Sequence, residues 1–448
     1  MTISLPYIIY SINERISGRN TLQLYRKLKE IESYPEEKLR DWQFKKLKAL
    51  LVHSYRYVEH YKEAFDRAGF APEKMSCLED LQNVPLLAKE EMRGSEREFI
   101  SKDKRRETTR YATSGSTGHP LIFYISNERF SGNRAAYLLL YSIWGLKIGD
   151  KEAVFWGSSR DISAYSVAKK VRDGLMRTHL MPAFKMDEGT MKDYIDFIRR
   201  YRPANIFGYA HSVYLLARFA KNRDLRLDGL GIRVVFTTAE LLHDYQRQLI
   251  EEVFGCPVSD CYGGRDSGLV AFECPSKSMH VNPAMIAESI KDGKRAGPGE
   301  TGEIVITDLF SYGTPFVRYR TGDHGIVSGK KGCPCGRNLP IIENITGRDT
   351  DYIVGPKGEF IHPLALEYIF REIEGIDYFR IVQKREDELA IDLAVNEKFD
   401  KDLEGSIRGK IVGVMGPVTV RFNFIGKDEI PAQDKYKFVV SEVIKKYL

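Results

Sequence analysis

Between Lys151 and Gly264 the chain alternates short apolar runs with stretches of helical periodicity, a rhythm that restricts its possible folds more than any other feature. "KEAVFWGSS" reads as a buried strand and "SAYSVAKKVRDGLMRT" as a helix. "RPANIFGYA" with "HSVYLLARFAKN" repeats the pair, and so does "GIRVVFTTAE" with "LLHDYQRQLIEEVFG", whose helix stops at Gly255. Right-handed crossovers onto a mostly parallel sheet satisfy this order. The strands close on polar or glycine-rich tips, "GSS", "GYAHS", "TTAE" and "YGGRD". Ligands of open α/β sheets sit at such carboxyl ends, so the four tips are expected to face one crevice.

The texture differs on either side of this region. Residues 1–95 read as a helical layer, dense in charge, with the basic face of "KKLKALLVHSYRYVEHYKEAF" taken as solvated. From Glu288 to Arg348, "GEIVITDLF" and "TPFVRYRTGDHGIV" alternate and carry turn glycines, the pattern of an antiparallel β subdomain. Beyond it a hairpin is expected around Pro356-Lys357-Gly358. A helix carrying Leu366, Ile369, Phe370 and Ile373 follows, then strands over Leu389–Val395 and Val418–Phe424. The expectation is an α/β protein with a large N-terminal domain, 1–348, of mostly parallel sheet plus the β subdomain. A small α+β C-terminal domain, 349–448, completes it.

With 448 residues, two or more structural units are expected. The 68 basic and 62 acidic side chains are interspersed, which argues against a nucleic-acid footprint. "MTISLPYIIYSINERISGRN" lacks a basic leader and is interrupted by Pro6, Ser11 and Asn13, so it makes a poor signal peptide. No apolar run has the length of a membrane span, and a cytoplasmic protein is expected. The six cysteines are too few for a disulfide scaffold, and the Cys333-x-Cys335 pair asks for a metal or redox explanation. "TSGSTGHP", Thr113 to Pro120, admits two readings: a hairpin tip, or a nest of N–H and hydroxyl donors sized for a phosphate.

Taken in order, "TSGSTGHP", "TTAE", "CYGGRDSG", "FVRYRTGDHG", "GRDTDYI" and "IPAQDKYKF" form the motif series of the adenylate-forming enzymes, which this sequence resembles over nearly its whole length. "VPLLAKEEMR", "MHVNPAMIAESI" and "CPCGRNLPIIENITGR" are similar to the phenylacetate–CoA ligase branch and its CapK-like members. The resemblance implies an ATP-dependent ligase that joins a carboxylate to the α-phosphate and passes the acyl group on. The β- and γ-phosphates would be held by Ser114, Gly115, Ser116, Thr117 and Gly118, where many relatives carry Lys at the place of His119. No Gly-Lys-Ser/Thr follows, which disfavours a P-loop. Tyr262 would pack on adenine beside Gly263, Asp323 would accept the ribose hydroxyls, and Arg348 would reach ribose or phosphate. Glu240 and Asp266 would serve Mg²⁺, Asp266 standing where most relatives have Glu; the alternative for Asp266 is an ion pair with Arg265. Lys435 would bridge carboxylate and α-phosphate in the transition state, delivered by rotation of a mobile C-terminal domain about a hinge at Thr350.

The acyl pocket implied by the resemblance is lined by Tyr209, Ala210, Thr238, Ala239 and Gly264. Tyr209 and Phe236 are placed to flank an aromatic ring, unless they are ordinary strand packing. The acceptor is expected to be CoA; the alternatives are an amine or hydroxyl, on a sugar or a coenzyme. Cys274, His280, Cys333 and Cys335 offer three sulfurs and one imidazole, a set suited to a structural Zn²⁺. Cys274 in the core and an exposed C-x-C loop are the alternative. A homodimer is compatible with all of this.

Overall fold

The apolar runs from residue 152 to 238 do become parallel strands in the computed structural model. It describes residues 4–103, 107–113, 121–157, 167–328, 332–346, 353–361, 363–371, 373, 375–400, 402–426, 429 and 439–444. Its packing separates into two compact units. One contains Met1–Thr113, Leu121–Asp150 and Ser259–Gly347; the other contains Lys151–Val258 and Arg348–Leu448.

In the second unit the strands Val234–Thr238, Asn205–Tyr209, Glu152–Phe155 and Thr178–Met181 lie side by side in that order, all parallel. The helices Val167–Leu175, Glu188–Tyr201, Ala210–Lys221 and Asp244–Phe254 make the crossovers. Local chemistry sets their ends. Asp187 caps Glu188–Tyr201 by accepting from the Thr190 amide at 2.8 Å. Gly255 ends Asp244–Phe254 in the left-handed region at φ 64°, where a Cβ would meet that of Asp228 at 2.7 Å. The strand Thr178–Met181 and the helix Glu188–Tyr201 have no counterpart among the sequence expectations, because the strand is only four residues long and Gly189 interrupts the start of the helical pattern.

The C-terminal part of this unit has the expected α+β content. A sheet of Thr419–Phe424, Glu388–Val395, Ile376–Arg385 and Val439–Ser441 has an antiparallel central pair and parallel outer ones. Leu389, Ile391 and Leu393 point into its core and are wholly buried. Helices Pro363–Arg371 and Leu403–Met415 accompany it. The hairpin around Pro356-Lys357-Gly358 forms as Ile353–Val354 against Phe360–Ile361, and the second strand also pairs with Lys185–Met186. One continuous apolar cluster runs from Phe155 and Ile206 to Ile391 and Ile411.

The first unit is led by helices Leu5–Ile16, Thr21–Ile31, Glu36–Tyr57 and Glu59–Ala68. Its sheet is antiparallel, in the order Lys294–Arg295, Met285–Lys291, Gly302–Asp308, Tyr319–Ser328, Ile341–Thr346, Met279–Val281, Gly268–Glu273 and Val258–Gly264. Antiparallel pairing therefore starts some twenty residues before Glu288: "YGGRD" closes the strand Val258–Gly264 and turns it into a hairpin with Gly268–Glu273. Gln43 in the third helix donates to the carbonyls of Pro283 and Met285 at 3.2 and 3.1 Å, tying the helical layer to the sheet. Thr108–Ala112 pairs with Ile122–Ser126, and Thr113 closes that ladder by donating its N–H to Leu121 O and accepting Leu121 N–H at its hydroxyl. The loop 114–120 joins these two strands and lies outside the described residues.

Candidate nucleotide-binding residues and metal centre

In the first unit the hairpin Val258–Gly264/Gly268–Glu273 presents Tyr262 beside the strand Tyr319–Ser328. The Tyr262 hydroxyl lies 3.0 Å from Asp323 Oδ2 and 3.2 Å from Thr321 Oγ1. Thr321 in turn donates to Ile304 O at 2.7 Å and accepts the Asp323 N–H at 3.1 Å. Burial, then the Asp323 carboxylate, pushes the Tyr262 phenol well above its ordinary range, so it stays a neutral donor. The residues expected at adenine and ribose, sixty-one positions apart, are thus hydrogen-bonded partners. Gly263 admits no other residue: a Cβ there would come within 2.1 Å of Gly268 O. Gly264 is exposed.

Asp266 follows the hairpin turn. Its Oδ2 accepts from Lys89 Nζ at 2.8 Å and from the Tyr319 hydroxyl at 2.7 Å, while Oδ1 accepts the Ser267 N–H at 3.1 Å. Burial alone would raise its pKa, but the ammonium of Lys89 and the hydroxyl of Tyr319 outweigh it and hold the carboxyl at about 2. Its cation is therefore Lys89; Arg265 donates instead to Ala112 O at 3.2 Å. Lys89 lies in "VPLLAKEEMR", and its partner 177 positions away carries no signal in a single sequence. Beneath this pair Arg129 donates to the Asp266 carbonyl and to Asp308 Oδ2, the latter at 2.8 Å, with its guanidinium over the Phe316 ring at 4.2 Å.

Cys274, His280, Cys333 and Cys335 do come together, their ligand atoms all within 4.8 Å of one another. Cys274 Sγ and Cys333 Sγ are 3.7 Å apart, close to the edge of a tetrahedron with metal–sulfur bonds of about 2.3 Å. His280 Nε2 is 3.2 Å from Cys335 Sγ, and its Nδ1 is 3.2 Å from Leu339 O. That carbonyl accepts a hydrogen bond from Nδ1–H, which leaves the Nε2 lone pair facing the sulfurs, the arrangement a zinc-ligating histidine needs. Burial lowers the pKa of His280, which keeps it neutral, and lifts the Cys274 thiol to about 11. Burial also opposes ionisation of Cys333, but hydrogen bonds, first from Ser278, bring its pKa below the ordinary value. The donor set fits Zn²⁺ in number, softness and spacing.

In the second unit the strand Asn205–Tyr209 passes without a break into the helix Ala210–Lys221. Glu240 Oε2 accepts the His211 N–H at 2.9 Å, so this carboxylate sits on the positive end of that helix. Ala239 precedes it at φ 67°, a left-handed backbone held by a residue other than glycine. Thr238 is buried opposite Tyr209 in the ladder. Tyr209 stacks on Trp156 with centroids 4.4 Å apart and an 11° tilt. Phe236 is wholly buried and packs on Phe207, as in the strand-packing alternative. Trp156 was passed over in the sequence; the signal was its position in "FWGSS", at the end of a strand.

Ser114, Gly115, Ser116, Thr117, Gly118, Arg348, Thr350 and Lys435 lie outside the described residues. Among the described residues, no helix is long and apolar enough to cross a membrane.

A family model for the CapK C-terminal domain matches residues 353–442. Protein CapK of Staphylococcus aureus is 22% identical over 412 residues, covering 87% of each chain. The phenylacetate-coenzyme A ligase of Thermus thermophilus is 25% identical over 387 residues, 84% of this chain and 85% of that one. Among solved structures, 2-hydroxyisobutyryl-CoA ligase in complex with 2-HIB-AMP and CoA in the thioesterification state aligns with a TM-score of 0.63 at 20% identity, covering 93% of both chains. The fold, the order of the motifs and these relatives agree in their likeness: the chain is similar to the adenylate-forming superfamily, and within it to the phenylacetate–CoA ligase-like, CapK-like branch.

Proposed function

We propose that the chain is an ATP-dependent ligase that adenylates a carboxylic acid and then transfers the acyl group to a thiol, CoA. In the first step a carboxylate oxygen bonds to the α-phosphorus as the bond to pyrophosphate breaks. In the second, the acceptor sulfur attacks the acyl carbon and AMP leaves. The observation that carries this reading is the Tyr262–Asp323 hydrogen bond, which couples the residues assigned to adenine and ribose. Asp323 orients the sugar, and the neutral Tyr262 ring offers a face to the base. Ser114 to Gly118 donate to the departing phosphates, Arg348 assists at ribose or phosphate, and Lys435 neutralises charge shared by both reactants.

Mg²⁺ supplies charge neutralisation on the phosphates in such chemistry. Glu240, on a helix N-terminus, is suited to hold it or to orient the phosphates around it. Asp266, already matched by Lys89, is better suited to an indirect part through solvent. Tyr209, Ala210, Thr238 and Ala239 form the wall proposed for the acid, with Trp156 as an added aromatic; Gly264 is assigned to it by motif alone. The Cys274–His280–Cys333–Cys335 centre holds a structural Zn²⁺. We place the protein in the cytoplasm, with an aromatic acid as substrate.

A second reading replaces CoA by an amine or hydroxyl acceptor, on a sugar or a coenzyme. It is favoured by the match of residues 353–442 to the CapK C-terminal domain, since in this proposal that part meets the acceptor. The test is acid-dependent ATP–pyrophosphate exchange over a panel of carboxylic acids, followed by product formation with and without CoA. Exchange accompanied by AMP release and thioester only when CoA is added supports the first reading, and exchange with no CoA-dependent product but AMP release on adding an amine or hydroxyl acceptor supports the second. No exchange with any carboxylic acid refutes adenylation of an acid.

A further inference from the structure

The helix Leu5–Ile16 is docked with its faces reversed. Pro6 and Glu14 are its buried residues, whereas Leu5, Ile8, Ile12 and Ile16 are 65, 43, 52 and 81% exposed. Their spacing of three, four and four positions puts all four on one side of the helix, and half-buried Ile9 falls in the same arc of about 100°. Glu14 faces the opposite way, accepting from the Thr21 N–H and from its hydroxyl, the latter at 2.8 Å. The docking itself is firm. Pro6 packs on Gly149, where a Cβ would come within 2.6 Å of its ring, and Asn127 donates to Ser17 O at 3.3 Å. Helix Glu188–Tyr201 shows the ordinary arrangement, with Met191, Ile195 and Ile198 turned inward.

The charge around this face is mostly positive, with Lys27 matched by Glu30 at 3.0 Å. From Ser4 to Lys29 the only acidic side chain is the inward Glu14, against Arg15, Arg19, Arg26, Lys27 and Lys29. Arg15 borders the apolar arc, Arg19 lies over the Phe130 ring at 3.7 Å, and Arg26 bonds the Tyr7 hydroxyl at 3.2 Å. A second copy of the chain would set these cations against their own kind. It would also bury four side chains on a helix about 18 Å long, where a stable interface takes about 20–30 residues a side. An apolar arc rimmed by cations matches the boundary between anionic headgroups and acyl chains.

We propose that helix Leu5–Ile16 is a peripheral membrane-docking element that lies in the interface of an anionic bilayer and holds the enzyme at its surface. The test is flotation of the full chain with vesicles of phosphatidylglycerol and phosphatidylcholine in equal parts, against vesicles of phosphatidylcholine alone. The wild type is expected to float with the anionic vesicles and to be released by salt. Ile12→Glu is expected to lower the bound fraction about tenfold or more while leaving pyrophosphate exchange intact. Ile12→Trp provides an independent readout, its emission shifting to the blue only when anionic vesicles are added. Wild-type protein that stays with the soluble fraction, flotation unaffected by Ile12→Glu, or an unshifted Ile12→Trp emission each overturns the proposal. So does a wild-type dimer in light scattering that Ile12→Glu converts to monomer, which would make a second copy the occupant.

Discussion

Lys89 and Tyr319 converge on a single oxygen of Asp266 at 2.8 and 2.7 Å, in a place where both members of the ion pair are about four-fifths buried. Removing the ammonium leaves a carboxylate that has lost its solvent and its counter-charge. Lys89→Met should therefore lower the unfolding free energy by about 1–3 kcal/mol, read from urea denaturation at neutral pH. The pH dependence has a definite sign. The carboxyl titrates at about 2 when folded and near 3.9 unfolded. It therefore contributes stability above pH ~4, lost as the pH falls toward 2. In Lys89→Met this part of the acid slope should disappear, and an unchanged slope would show that Lys89 does not hold the carboxyl down. A second residue-scale test concerns Ala239 at φ 67°. Ala239→Gly should be neutral or stabilising, whereas Ala239→Val should cost about 1–3 kcal/mol, because a β-branched side chain resists the left-handed backbone. Equal melting temperatures for the two variants would exclude strain at this position.

The Cys/His centre ties together three short elements: the turn after Gly268–Glu273, the strand Met279–Val281 and the loop around Cys333 and Cys335. A bound metal would cross-link these pieces in addition to the core that Met279 and Val281 join. Metal analysis of purified protein should find one zinc per chain, and Cys335→Ser should reduce it. A strong chelator should lower the melting midpoint by about 5–10 °C. Protein without metal and indifferent to the chelator would leave the four residues as core and loop side chains. At this scale much was legible in the sequence. Apart from Thr178–Met181, Lys185–Met186 and Glu188–Tyr201, the main strands and helices from Glu152 to Phe254 follow from periodicity and turn residues, and the Cys/His grouping follows from residue type. The Tyr262–Asp323 bond, the Lys89–Asp266 pair and the Trp156–Tyr209 stack join residues far apart in order, and only the fold supplies such adjacency. "YGGRD" does close a strand, but that the chain returns from it as a hairpin is not marked in the sequence, because glycines serve both hairpin turns and strand-to-helix turns. The identity Gly263 demands comes from the Gly268 carbonyl across that hairpin.

At the scale of the whole molecule, the C-terminal α+β part was legible from its alternating strands, but its company was not. Phe360–Ile361 adds to Lys185–Met186, and apolar residues on both sides of that pairing form one core cluster within their unit. The proposed rotation about Thr350 has to part these strands, since Lys435 cannot assist adenylation and also clear the way for an acceptor from one position. Lys185 and Ile361 are direct partners in the antiparallel register, at the Cα spacing of about 4.5–5.5 Å that a disulfide accepts. A Lys185→Cys/Ile361→Cys double variant, once oxidised, would lock this arrangement. One half-reaction, either pyrophosphate exchange or acyl transfer from the adenylate, should then persist while the other falls about a hundredfold or more. Reduction with a thiol should restore the lost half. If the oxidised protein runs both half-reactions at the wild-type rate, the C-terminal part stays where it is throughout the cycle, and Lys435 must act without domain rotation.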